Sequence, residues 1–88
     1  MTTIDVRFFA GAAEAFGTDR LSLTLGDQAT LGAALHALTH GAAPGATDDA
    51  PTVLGRCSFL VDRVSASDPA TPLADGARVD VMPPFAGG

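Results

Sequence analysis

Apolar and polar residues alternate at the start of the chain. Ile4, Val6 and Phe8 fall on one side and Thr3, Asp5 and Arg7 on the other, which predicts a half-buried strand over residues 2–9. Residues 10–16 are helix formers that stop at Gly17, so one or two helical turns are expected there, capped by the glycine. Alternation returns with Leu21, Leu23 and Leu25, a second strand closed by the turn residues Gly26 and Asp27. From Leu31 the period lengthens: Leu31, Ala34, Leu35 and Leu38 fall at i, i+3, i+4 and i+7, with Thr30 placed to cap the N-terminus and Gly41 beyond the end. This predicts one amphipathic helix of about three turns.

Residues 41–51, reading GAAPGATDDAP, carry no periodicity and predict a surface loop. A third apolar strand follows over 57–62, then a short edge strand at 64–66, a bend at 69–73 and a tight turn at Asp75-Gly76. The turn leads into a last strand over 77–82, where Val79 and Val81 alternate inward. The order strand, strand, helix, then two or three more strands suits a single mixed sheet of four or five strands around one main helix. An α+β, ubiquitin-like β-grasp roll fits it best. The expected division is a domain over 1–82 and a projecting tail over 83–88.

Size and charge narrow the functional classes. Eighty-eight residues support one core and not two. The net charge of −5 disfavours partners that are bound by neutralising phosphates, so neither nucleic acid nor an anionic membrane is an expected partner. The single Cys57 offers no internal disulfide, and neither a signal peptide nor a membrane-length apolar run is visible. A cytoplasmic location is the expectation.

The chemistry concentrates in the run Pro83-Pro84-Phe85-Ala86-Gly87-Gly88. Pro83 and Pro84 restrict φ and remove two N–H donors, which ends the last strand and favours an extended tail. Glycines without Cβ allow a narrow channel in another protein to enclose the backbone and reach the carboxylate. At roughly 3.3 Å per residue, six extended residues reach about 20 Å.

This tail, preceded by TPLADGARVDVM, resembles the sulfur carriers typified by the small subunit of molybdopterin synthase, and more loosely the thiamine sulfur carrier. The resemblance covers the whole chain in length and element order and is sharpest over 71–88. It implies that Gly88 is adenylated with ATP by an adenylyltransferase related to ubiquitin-activating enzymes. A persulfide donor then converts the adenylate to a thiocarboxylate. The same resemblance implies insertion of the charged tail into the synthase's large subunit, in a heterotetramer, where sulfur is delivered to the molybdopterin precursor. It implies no cofactor bound to the carrier, with ATP used by the activating partner, and catalytic side chains on the partner. Alternatives are a carrier serving thiamine, cysteine or a specialised metabolite, a modifier that forms isopeptide bonds, and an interaction module with an inert tail. The family often has an Asn-Gly turn after its third strand, where this chain reads Val61-Asp62-Arg63-Val64, so that turn is expected to be built differently.

Other candidates have plainer readings. Consecutive Phe8 and Phe9 must point to opposite faces of a strand. One enters the core, and an exposed Phe9 with Met82 and Phe85 would form an apolar docking patch unless the loop after residue 41 covers it. His36 and His40 share a helix face, but no Cys, Asp or Glu completes a metal shell, so solvent-facing residues are expected, with His40 settling the helix C-terminus. Cys57 reads as a small buried hydrophobe. Asp5, Asp48 and Asp49 read as solvated charges, and Gly11, Gly17 and Gly26 as punctuation between elements.

Overall fold

The computed structural model describes residues 1–84. Five strands, β1 (Thr2–Phe8), β2 (Arg20–Leu25), β3 (Ser58–Val61), β4 (Val64–Ala66) and β5 (Arg78–Met82), form one sheet in the order β2-β1-β5-β3-β4. Only β1 and β5 run parallel; the other neighbours are antiparallel. Helices α1 (Gly11–Phe16), α2 (Leu31–Thr39) and α3 (Ala50–Leu54) complete the fold, which is a ubiquitin-like β-grasp with a mixed five-stranded sheet.

The strand alternation gives the sheet an inner and an outer face. Ile4, Val6, Phe8, Leu23, Val79 and Val81 point inward and are buried, joined in the core by Leu31, Ala34 and Leu38 from α2. The parallel pair needs cover most, because its members are apolar where they meet the helices: Val6 lies opposite Val79 and Phe8 opposite Val81. Phe8 and Phe16 stack with ring centroids 4.7 Å apart. Helix α2 starts where the sequence indicates, with the Thr30 hydroxyl accepting from the Ala33 N–H at 3.2 Å. Its C-cap is His40, whose Nδ1 lies 2.7 Å from the His36 carbonyl while its ring stacks on that of His36 at 3.8 Å.

Two expectations need correcting. The stretch 41–51 is a mostly exposed loop only as far as residue 49. Its last two residues open α3, because proline is tolerated in the first turn, where its missing N–H costs nothing, and Ala50 and Leu54 recur at helical spacing to bury one face. Upstream, Ala43 is buried, and the N–H and hydroxyl of Thr47 both donate to the Ala15 carbonyl, at 2.8 and 3.1 Å. The loop is thereby fastened to the end of α1. The 61–64 turn is the second correction. Asp62 and Arg63 have φ of 49° and 70°, the positive pair of a type I′ turn, so the chain keeps the geometry that Asn-Gly would favour without using glycine.

Candidate functional site

Strand register decides which residues meet at the base of the tail. On the outer face Arg7 lies opposite both Arg20 and Asp80, and Asp80 lies opposite Leu60, which in turn lies opposite Ser65. One step further along, Met82 lies opposite Ser58, and Phe9 continues past the end of β1 with its N–H donating to the Val81 carbonyl at 3.2 Å. Phe9 and Met82 thus share the outer face at the end of the sheet from which residue 83 departs, with Leu60 on the same face diagonal to Met82 and level with Asp80. Phe9 is 37 % exposed. A hollow of about 480 Å³ opens beside it, lined by Arg7, Phe8, Phe9, Ala10, Asp19 and Arg20 among others. The chain turns sharply there: Ala10 has φ 48° and ψ −124°, a conformation that L residues rarely adopt, and it starts α1 immediately after the exposed ring.

Charged residues frame this apolar edge. Asp5 pairs with Arg7 at 2.9 Å and Arg20 at 3.3 Å, and Arg78 Nε donates to Asp80 at 2.7 Å. Hydrogen bonding from Arg7, aided by the charge of Arg20 and opposed by partial burial, holds the Asp5 carboxyl below its ordinary value. Asp80 is almost wholly buried, but its pairing with Arg78 satisfies it. Three of the five arginines therefore stand on the sheet face that also carries the apolar edge, each engaged with an aspartate.

Among the sequence candidates, Met82 ends β5, Pro83 is half-buried and Pro84 is exposed. Phe85, Ala86, Gly87 and Gly88 lie outside the described residues. Phe9 and Met82 are brought together, whereas Leu60 was missed. Its signal was an apolar residue on the polar phase of the third strand, between inward-facing Phe59 and Val61. Cys57 sits just before β3, partly buried, with its thiol donating to the Val53 carbonyl at 3.2 Å; burial pushes its pKa up, away from reactivity. Asp5 proves to be ion-paired rather than merely solvated. Among the described residues no group of three or more His, Cys, Asp or Glu side chains could hold a metal, and no helix is long and apolar enough to cross a membrane.

Similarity to known proteins agrees with this geometry. SAMP1 from Haloferax volcanii is 27 % identical with a TM-score of 0.79, covering 98 % of this chain and 99 % of that one. A putative molybdopterin converting factor subunit 1 from Pyrococcus furiosus, at 18 % identity, shares the fold with a TM-score of 0.76 over 97 % of this chain and 100 % of that one. So does a chain of the complex of subunits 1 and 2 of molybdopterin-converting factor from Helicobacter pylori, at 21 % identity and a TM-score of 0.71 over 99 % and 100 %. No curated protein matches the sequence significantly. The sequence matches the ThiS family over residues 6–88, which takes in nearly every element described above and the Gly-Gly end, and the chain belongs to that family of sulfur-carrier type.

Proposed function

We propose that the chain is a sulfur carrier whose reactive group is the carboxylate of Gly88. The observation that carries this reading is where β5 stops. Met82 ends the strand beside Phe9, with Leu60 diagonal to it on the same face, and Pro83 and Pro84 follow directly, so the described chain departs from the sheet beside an apolar edge. A carboxylate is a poor acyl donor and an acyl-adenylate a good one. The Gly88 carboxylate attacks the α-phosphorus of ATP on an adenylyltransferase related to ubiquitin-activating enzymes, and pyrophosphate leaves. The outer sulfur of the persulfide then attacks the acyl carbon and AMP leaves, giving an acyl disulfide; a second thiol attacks the donor's sulfur, the two form a disulfide, and the carrier is released as a thiocarboxylate.

The recipient favoured here is the molybdopterin precursor, with this chain as the non-catalytic small subunit beside a large synthase subunit that accepts Phe85 to Gly88 in its pocket. The likeness to a subunit that is found with its partner in one complex supports that choice. A second reading, a ubiquitin-like modifier of lysines, is supported by the 27 % identity to SAMP1, a small archaeal modifier protein by name. The same end group serves both. Incubation with ATP, the adenylyltransferase and a persulfide source should release pyrophosphate and give thiocarboxylate with the full chain and neither with Gly88 deleted, while circular dichroism of the two stays the same. Equal pyrophosphate release by the deletion variant would refute the assignment of Gly88.

A further inference from the structure

An activated carbonyl attacks whatever amine it can reach, so the carrier's own surface matters to the chemistry it carries. All five basic side chains of this 88-residue sequence are arginines, Arg7, Arg20, Arg56, Arg63 and Arg78, and lysine does not occur. A guanidinium stays protonated and is not an acyl acceptor under conditions where a lysine amine is. From this, and resting on the reading of Gly88 as an activated end, we infer that the chain is built not to acylate itself. The amine acceptor always lies outside the carrier's own chain, and conjugates, where they form, are not extended through lysine.

The remaining nucleophiles are disposed to the same effect. The Met1 amine pairs with Asp27 at the start of β1. Because β1 and β5 run parallel, with Phe8 opposite Val81, Met1 lies eight residues back along the sheet from the level of Met82, about 26 Å at roughly 3.3 Å per residue. Six tail residues beyond Met82 span only about 20 Å when fully extended. The tail therefore cannot carry Gly88 to the amine of its own chain. Cys57 is much nearer, next to Ser58, which lies opposite Met82, but its thiol is partly buried and donates to the Val53 carbonyl, with burial raising its pKa. Serine and threonine hydroxyls are weak nucleophiles without a general base beside them. An imidazole acylated at His36 or His40 hydrolyses instead of accumulating.

The test uses a C-terminal thioester of the 88-residue chain, made by intein cleavage with a small thiol, so that no activating enzyme is needed. Attack by an amine on the Gly88 carbonyl forms a C–N bond, expels the thiol and gives up a proton, leaving a product one water lighter than the acid that resists hydroxylamine. At micromolar protein the wild-type thioester should only hydrolyse, with no internal amide and no covalent ladder on a denaturing gel. Arg56→Lys places an amine on the exposed residue two positions before Ser58, within reach of the tail. It should form the internal amide roughly a hundredfold faster than any wild-type self-acylation, since a short tether gives millimolar effective concentration. Ala74→Lys, exposed at the opposite end of the sheet, should behave like wild type.

Internal amide or dimers from wild type at the Arg56→Lys rate would overturn the inference. So would a hydroxylamine-sensitive internal thioester on Cys57, an Arg56→Lys chain that only hydrolyses, or an Ala74→Lys chain that closes as fast as Arg56→Lys. None of these results bears on whether the cell loads sulfur on Gly88, which is read separately from the mass of the native protein.

Discussion

Asp62 and Arg78 are joined twice: the Asp62 N–H donates to the Arg78 carbonyl at 2.8 Å, and the Arg78 N–H donates to Asp62 Oδ1 at 2.9 Å. This double link fastens the β3–β4 turn to the start of β5 and holds Asp62 and Arg63 at positive φ. Arg63→Gly removes the steric cost of φ 70° and should raise the unfolding free energy by about 1 kcal/mol, seen as a higher urea midpoint at unchanged slope. Asp62→Ala hands the exposed Arg78 N–H to water and should lower it by about 0.5–1 kcal/mol. A destabilised Arg63→Gly variant would show that the arginine side chain, and not the turn, governs this site.

Among the described glycines, Gly17 has the least room for a side chain. It caps α1 at φ 73°, and a Cβ there would stand 2.5 Å from the Gly45 carbonyl oxygen. Gly17→Ala should cost about 2–4 kcal/mol, from left-handed strain together with displacement of the 41–49 segment. Hydrogen exchange should show the Thr47 amide, which donates to Ala15, losing protection along with it. An alanine variant of wild-type stability would mean that the segment yields freely.

The Asp5 carboxyl, held below its usual 3.8 mainly by the hydrogen bond from Arg7, links stability to acid. Because the folded pKa is the lower one, the contribution is present above the ordinary carboxylate value and is lost as the pH falls through the depressed one. Thermal midpoints of wild type and Asp5→Asn should therefore differ at neutral pH and converge as the pH drops below 3.8. A constant difference across that range would mean that Asp5 acts through packing instead.

Phe9 and Leu60 should contribute to binding more than to folding, since both stand on the outer face of the sheet, where the core does not need them. Phe9→Ala should weaken affinity for the activating enzyme or the large subunit by roughly 10- to 30-fold, about 1.5–2 kcal/mol. The melting temperature should move little, because the lost contacts are on the surface. Calorimetric titration and thermal melting on one sample separate the two effects, and loss of stability with retained affinity would remove Phe9 from the docking edge.

Much of the fold was legible because period-2 and period-3.6 patterns in residues 2–38 coincide with burial, as the inward Ile4, Val6 and Phe8 and the buried Leu31, Ala34 and Leu38 show. Legibility failed where a long-range contact decides. Helix α3 begins inside a Pro- and Gly-rich stretch and forms because Ala50 and Leu54 find a core that the local sequence does not advertise. The type I′ turn lacks its usual glycine because Arg78, sixteen residues from Asp62, supplies the stabilising partner. At the candidate site, Phe9 and Met82 could be named from alternation and from the strand's end, but Leu60 becomes their neighbour only through the β3–β5 register. The charged frame of Asp5, Arg7 and Arg20 is likewise a cross-strand product.

Gly88 is proposed to carry sulfur as a thiocarboxylate. Intact-protein mass spectrometry of the chain purified from its own cells under non-reducing, amine-free conditions tests it most directly. A thiocarboxylated chain gives a second species heavier by the difference between one sulfur and one oxygen, with fragment ions placing the change on Gly88, and that species disappears on alkaline hydrolysis. A single species with an unmodified carboxylate, from cells actively making sulfur-containing cofactors, would contradict it.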